Sequence, residues 1–316
     1  MQKLPRKFIE SAERCNYDIG LMQKSGTPHF YVELNKIISS QGIPGLEISA
    51  KSTQKGIKIK LIVRKGAKIE KPIFFCFGIL GIKGKQVILP EIILEERAEA
   101  KIFAHCTFPE ARNVLHKMEA KIRLKKKSKL LYIESHYHGE KFGTEVLPNF
   151  RILVGPGATF ENEFTLNQGT IGKLKINLEA KLEKDAFSSI ISKVIGKGKK
   201  DDVNIYDKIS LLGENSRSLV KLRGAVLKGG KMFFEGETSA GPLAKDSQGH
   251  VDCQEIVVGK DSVARSVPII KAENPEARIT HEASVGKINQ KELETLMTRG
   301  LSEKEAIDFI IRGALK

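Results

Sequence analysis

VGPGA at residues 154–158 and LEKDA at 182–186 decide how this chain folds. Each is an aliphatic residue, three turn-like positions and then a small residue. The same unit reads VRKGA at 63–67, LEERA at 94–98, LKKKS at 124–128 and LGENS at 212–216. Its small residues are Ala67, Ala98, Ser128, Ala158, Ala186 and Ser216, at successive separations of 31, 30, 30, 28 and 30 residues. Between the copies run strand-like stretches rich in Ile and Val, from about residue 47 to 286, with no helical pattern. A fixed period of this length built from strands predicts a β-solenoid, mainly β, wound as a right-handed parallel β-helix. Each coil must turn a corner at the same place. A small residue suits a tight inside corner where coils stack about 4.8 Å apart. A propeller blade wants about 40 residues, and the Asn ladder of a leucine-rich repeat is absent. A similar unit, VGKDS at 258–262, stands 46 residues beyond LGENS, so the phase is expected to slip near the C-terminal end.

The ends differ from the middle. Residues 1–48 read as a mixed, partly helical segment with a helix from Arg6 to Arg14, and residues 49–286 as the β-helix core. Residues 287–316 read as two helices. Asn289 caps the first, which Gly300 closes; LSEKEA then forms a capping box with Ser302 as N-cap and Glu305 three later. The second helix is expected to bury Ile307, Phe309, Ile310 and Ile311 and to end at Gly313.

Composition limits the function. The chain has 316 residues, 41% of them hydrophobic, enough for a sizeable core. No apolar run reaches membrane-spanning length, and the N-terminus lacks the apolar region of a secretory signal, so the expected place is the cytoplasm. Cys15, Cys76, Cys106 and Cys253 form no CxxC pair, which argues against a disulfide framework. The net charge of +15 is spread along the chain. With no Trp and 5 Tyr, there is no aromatic platform for bases, so a solvated surface is favoured over a nucleic-acid binder. GKGKKDD at 196–202 lacks the P-loop spacing and hydroxyl, so the chain is not itself expected to be an ATPase. A carbohydrate-active enzyme, common on β-helices, would want acidic calcium clusters and aromatic sugar platforms.

The chemistry concentrates near the end of the chain. Cys253 lies 28 residues before His281 and 29 before Glu282, about one coil. Neighbouring rungs would bring thiolate, imidazole and carboxylate together as ligands for a metal ion or cluster. In an ideal strand, however, His281 and Glu282 point to opposite faces. His136 and His138 in IESHYHG share a strand face and form a weaker candidate metal pair; His105-Cys106 is weaker still. The bland alternatives are a core thiol and ordinary surface polarity.

These residues carry a resemblance. Over residues 213–313 the chain resembles the SufB/SufD family of SUF-type iron–sulfur cluster assembly scaffolds. The matching elements are the strand-borne Cys253 followed by VVG, the turn at Val267-Pro268, HEA-x-x-G-K-I from His281, and RG-L-S-E-x-E-A from Arg299. The resemblance implies a right-handed parallel β-helix with flanking helices, pairing of two scaffolds through its C-terminal strands, and C-terminal helices that dock a SufC-like ABC-type ATPase. It implies a transient iron–sulfur cluster passed on to apo iron–sulfur proteins. Cys253 and Glu282 match positions implicated in SufB-like members, and His281 the position implicated in SufD-like ones. One chain carrying all three implies a homodimer.

Overall fold

The computed structural model describes residues 4–140 and 143–315. Two helices, α1 (Arg6–Arg14) and α2 (Ile19–Gln23), precede nineteen strands. They are β1 (His29–Glu33), β2 (Lys36–Gln41), β3 (Leu46–Thr53), β4 (Gly56–Val63), β5 (Ile73–Gly78), β6 (Lys83–Leu94) and β7 (Glu99–Phe108). Next come β8 (Asn113–Leu124), β9 (Lys129–His138), β10 (Thr144–Val154), β11 (Thr159–Gln168), β12 (Lys173–Leu182) and β13 (Phe187–Gly196). The last six are β14 (Asp202–Leu211), β15 (Arg217–Leu227), β16 (Lys231–Ala240), β17 (Gln248–Val258), β18 (Val263–Ala272) and β19 (Arg278–Lys287). Helices α3 (Gln290–Thr298) and α4 (Glu303–Ala314) close the chain.

From β4 onward successive strands alternate between two sheets. One sheet runs β19-β17-β15-β13-β11-β9-β7-β5-β1-β2 and the other β18-β16-β14-β12-β10-β8-β6-β4-β3. Each strand therefore pairs in parallel with the strand two along the chain, and a coil contributes one strand to each sheet. This is the parallel β-solenoid that the repeat predicts.

Side chains alternate with the pleat. In β12, KLKINLEAKL, the buried residues are Leu174, Ile176, Leu178, Ala180 and Leu182, while the lysines face out. Every coil repeats this, so one continuous core runs between the sheets. Each buried Leu or Ile in it contributes about 1.5–3 kcal/mol.

The corner unit has a defined geometry. The N–H of each small residue bonds the carbonyl three residues earlier, as in Ala98 to Glu95, Ala158 to Gly155 and Ala186 to Glu183. The residue before it takes positive φ: Gly66, Arg97, Lys127, Gly157, Asp185 and Asn215. This is a β-turn whose third residue is left-handed, as Gly, Asn and Asp tolerate best. The hydroxyls of Ser128 and Ser216 add a 2.7 Å bond to the same carbonyl.

The expected phase slip does not occur. The turn recurs at Ser247, which bonds Ala244 and follows left-handed Asp246, and again at Ala277, which bonds Asn274. The spacing stays at 31 and 30 residues. VGKDS at 258–262 lies at the opposite corner, between β17 and β18, where Ser262 Oγ bonds the Val258 carbonyl. The true copies are LAKDS and ENPEA; the latter has no aliphatic residue to announce it.

Glycine is required where coils approach closely at that second corner. A Cβ on Gly169, at φ 75°, would sit 1.8 Å from the His138 carbonyl oxygen. Outside, the repeat places acid over base one coil away, as in Lys173–Glu145, Lys184–Glu214 and Lys193–Glu163. Such exposed pairs contribute about 0–1 kcal/mol each.

The two ends are finished differently. At the first, β1 pairs antiparallel with β2, and β3 with β4. Helix α1 lays Phe8 and Ala12 over the outer face near Tyr31, Phe74 and Cys76. The boundary read at residue 48 falls inside β3, and β1 and β2 extend the solenoid's own sheet. At the other end β18 and β19 each have one strand neighbour among the described residues.

Helices α3 and α4 carry the caps read from sequence: Asn289 accepts from Lys291 and Glu292, and Ser302 forms the capping box with Glu305. The burial differs from expectation. Ile307, Ile311 and Leu315, spaced by one turn, face Ile195, Ala225 and Ile256 on the outer sheet surface. Phe309 therefore points away and is 63% exposed, and the helix continues through Gly313.

Ala98→Leu, at a fully buried corner, should cost about 1–3 kcal/mol by overpacking. Gly157→Val, left-handed and facing no backbone clash, should cost about 1–2 kcal/mol from strain alone. Both are read from denaturant midpoints.

Candidate functional site

The last two coils gather the candidate residues. In β17 Val251, Cys253 and Glu255 face inward by alternation and are buried, while His250 and Asp252 face outward. In β19 Val251 pairs with His281, Asp252 with Glu282 and Cys253 with Ala283. His281 is thus on the inner face with Cys253, diagonally displaced, at a Cα separation of roughly 7–8 Å. Glu282 is on the outer face beside Asp252 and is exposed. The structure brings Cys253 and His281 to one face and leaves Glu282 on the other side of the same sheet.

Cys253 sits in a polar lining that the sequence reading missed. Glu255 lies two residues on, and its Oε1 accepts a 2.5 Å bond from Ser266 Oγ of β18. Its Oε2 has no partner among the described residues. The i, i+2 spacing of Cys253 and Glu255 on a strand was the available signal. Burial raises the carboxyl pKa of Glu255, partly offset by Ser266. Asp207, inward on β14, is buried with an unpartnered Oδ1, and burial pushes its pKa up to about 7. Burial, then the charge of Glu255, pushes the Cys253 thiol up to about 12. In the isolated chain Cys253 is therefore a neutral thiol, and a metal ion must displace its proton to bind.

His281 has both ring nitrogens shielded from solvent with no hydrogen-bond partner among the described residues. Its pKa is lowered, chiefly by desolvation, so it is a neutral imidazole with a free lone pair. Outside, Asp252 is held below its ordinary pKa by hydrogen bonds from Arg223, whose Nη1 lies 3.0 Å from Oδ1.

His136 and His138 are both on the inner face of β9, but deep in the solenoid. His136 Nε2 lies 2.7 Å from Glu134 Oε1, and His138 Nδ1 lies 2.9 Å from the Thr170 carbonyl oxygen. His105 and Cys106 point to opposite faces: His105 Nε2 meets Ser11 Oγ of α1 at 2.9 Å, whereas Cys106 belongs to the core.

The fold and this end coil define a class: a parallel β-solenoid presenting a thiol, carboxylates and an unpartnered imidazole at an end with open strand edges. The sequence profile described as "SUF system FeS cluster assembly, SufBD core domain" matches residues 87–314. An iron–sulfur cluster assembly SufBD family protein of Methanocaldococcus jannaschii is 38% identical over 288 residues, 91% of this chain and 90% of its own. One of Pyrococcus horikoshii is 31% identical over 282 residues, 89% and 84% of the two chains. The iron–sulfur cluster assembly protein SufB of Bacillus subtilis is 26% identical over 263 residues, 81% of this chain and 54% of its own. The chain belongs to the SufBD family, and its role lies in iron–sulfur cluster assembly.

Removing the charge of Glu255 should lower the Cys253 thiol pKa. In a chain whose other cysteines are replaced by Ala, Glu255→Gln should shift thiolate absorbance to lower pH and speed alkylation at fixed pH. An unchanged titration would show that the two side chains do not interact.

Proposed function

We propose that this chain is a non-catalytic scaffold on which an iron–sulfur cluster is assembled and released, with Cys253 as its principal thiolate ligand. The observation that carries this reading is the position of Cys253: inward-facing, flanked by Glu255 and His281, one strand from a free sheet edge. Thiolate suits soft iron–sulfide, while imidazole and carboxylate ligate iron more weakly and exchange with protons. Mixed ligation of this kind leaves a cluster labile enough to hand on to apo iron–sulfur proteins.

The second ligand shell comes from a second copy. The edges of β18 and β19 carry unpaired backbone groups, which favour pairing with another strand. Exposed Val263, Ile270 and Val285 all lie in this coil. Two copies meeting here would bring two sets of Cys253, His281 and Glu282 to one interface. Glu282, outward on its own sheet, would then serve from across the junction.

The groove beside α3 and α4 is the docking place for a SufC-like ABC-type ATPase. It is lined by Ile256, Val285, Leu296, Phe309 and Ile310, with Asn289 and Lys291 on its rim. Phe309 is the exposed aromatic anchor that such an interface would bury. ATP hydrolysis belongs to that partner. All four cysteines are free, as a reducing cytoplasm would keep them. Among the described residues no helix is long and apolar enough to cross a membrane.

Anaerobic reconstitution with iron and sulfide tests the site. Cys253→Ser should abolish the cluster absorbance; full retention would sink the assignment. Ile270→Asp should convert a dimer to a folded monomer in sedimentation. Phe309→Asp should weaken co-elution with the ATPase by more than about tenfold, roughly 1.4 kcal/mol or more.

A further inference from the structure

A second concentration of ligand side chains lies far from the open end. Cys106 of β7 and His136 of β9 are direct register partners, both inward-facing, and Glu134 is two residues before His136 on the same face. A Cys106 sulfur, a Glu134 oxygen and a His136 nitrogen lie within 4.8 Å of one another, and all three residues are buried. From the facing sheet, His116 of β8 brings Nε2 to 3.8 Å from Cys106 Sγ. Glu134 Oε2, His136 Nδ1 and His138 Nε2 are buried with no partner among the described residues. So many unpaired polar atoms buried side by side need an explanation.

We propose that Cys106, His116, Glu134 and His136 bind one divalent ion of borderline softness, zinc or ferrous iron, at a resident site inside the solenoid, separate from Cys253.

Distance supports it for Cys106, Glu134 and His136, and His116, within reach of the thiol, has to swing inward to complete the set. A tetrahedral ion with ordinary metal–sulfur and metal–nitrogen bonds holds its donors about 3.5 Å apart. Cys106 Sγ lies 3.9 Å from Glu134 Oε1 and 3.8 Å from His116 Nε2. The 2.7 Å contact between Glu134 and His136 has to open by about 0.6 Å to reach tetrahedral spacing. Burial raises the Glu134 carboxyl and lowers the His136 imidazole, and both shifts work against a carboxylate–imidazolium ion pair at that contact.

Charge supports it too. Two negative ligands neutralise a buried dication, and the Cys106 thiolate and Glu134 carboxylate supply two, with two neutral imidazoles completing the set. Binding displaces the thiol proton and the proton shared by Glu134 and His136. Two protons leave per ion and nothing is oxidised or reduced.

The outer contacts already fix one ligand. Gln86 donates its amide N–H groups to the carbonyl oxygens of Leu34 and Gly78, at 2.5 and 3.2 Å. Its Oε1 must therefore accept from His116 Nδ1, 2.9 Å away, which leaves the Nε2 lone pair aimed at the thiol. A ligand histidine whose other ring nitrogen donates to a fixed carbonyl is the usual supporting arrangement of a metal site. Thiolate with imidazole also selects against magnesium and calcium.

The test uses cobalt(II) in the full chain carrying Cys15→Ala and Cys253→Ser, so that neither the half-exposed thiol nor the end-coil site contributes. Expressed with cobalt and passed over a chelator, this protein should retain about one ion per chain. Its spectrum should show a thiolate-to-cobalt charge-transfer band and tetrahedral d–d bands. Adding Cys106→Ser should remove the charge-transfer band, and adding Glu134→Gln should reduce retained cobalt at least tenfold. X-ray absorption on the protein with its chamber intact needs no folding of those variants, and should give one sulfur at about 2.3 Å with nitrogen and oxygen neighbours. Cobalt below a tenth of an equivalent, or a first shell without sulfur, overturns the proposal and leaves water as the chamber's occupant. Because Cys253 is absent throughout, neither result bears on the scaffold reading.

Discussion

Register between coils is the constraint on which everything else rests. Parallel backbone hydrogen bonds join each strand to the strand one coil earlier, so every side chain stands on one about 30 residues before it. A residue's neighbours are therefore dictated by the period. Leu222, Cys253 and Ala283 form one column; Val220, Val251 and His281 form the next on that face. The same rule stacks Cys106 on His136 and Gln86 on His116. Chemistry in this protein is placed by columns, and a shift of one residue in any corner would exchange inner for outer faces along a whole strand.

A stack of coils has two ends, and a sheet edge is a hazard unless covered. Antiparallel pairing of β1 with β2 and β3 with β4 finishes the first end. Among the described residues the far end has no such finish, and large exposed apolar side chains concentrate there and on the adjoining helices. Val263, Ile270, Val285, Met297 and Phe309 account for five of the eight on the described surface. The polar lining around Cys253 opens toward that same end. Structural incompleteness and chemical capacity coincide, which is what an interface for assembly requires.

Much of this was legible in the sequence because the corner is a local device. Six small residues in phase gave the coil length, and the caps at Asn289 and Ser302 gave the helices. The reading failed where local signal and three-dimensional role part. VGKDS imitates one corner while serving the other, and ENPEA serves a corner with only its final Ala resembling the unit. Phe309 looked like core because it is apolar, yet the face of α4 is set by the Ile307, Ile311 and Leu315 spacing. Cys253, His281 and Glu282 were visible as residue types, but their faces follow from register: a coil of 30 residues here, not 28, makes His281 diagonal to the thiol. Asp207 and the approach of His116 to Cys106 depend on contacts between the sheets, which no one-dimensional spacing reveals.

Stacking also sets where the molecule opens. In a solenoid each coil contacts only its neighbours, so stability approaches a sum of coil and interface terms, and terminal units fray first. Interior strands are held on both sides; β18 and β19 are held on one. Amide exchange protection should therefore be lowest in the coil carrying His281 and high around the chamber. The buried Cys253 is reached by peeling a single coil, at a small fraction of the cost of global unfolding. The thiol thus lies in the core a single coil from the end, and how readily it is reached is set by position in the stack rather than by any hinge.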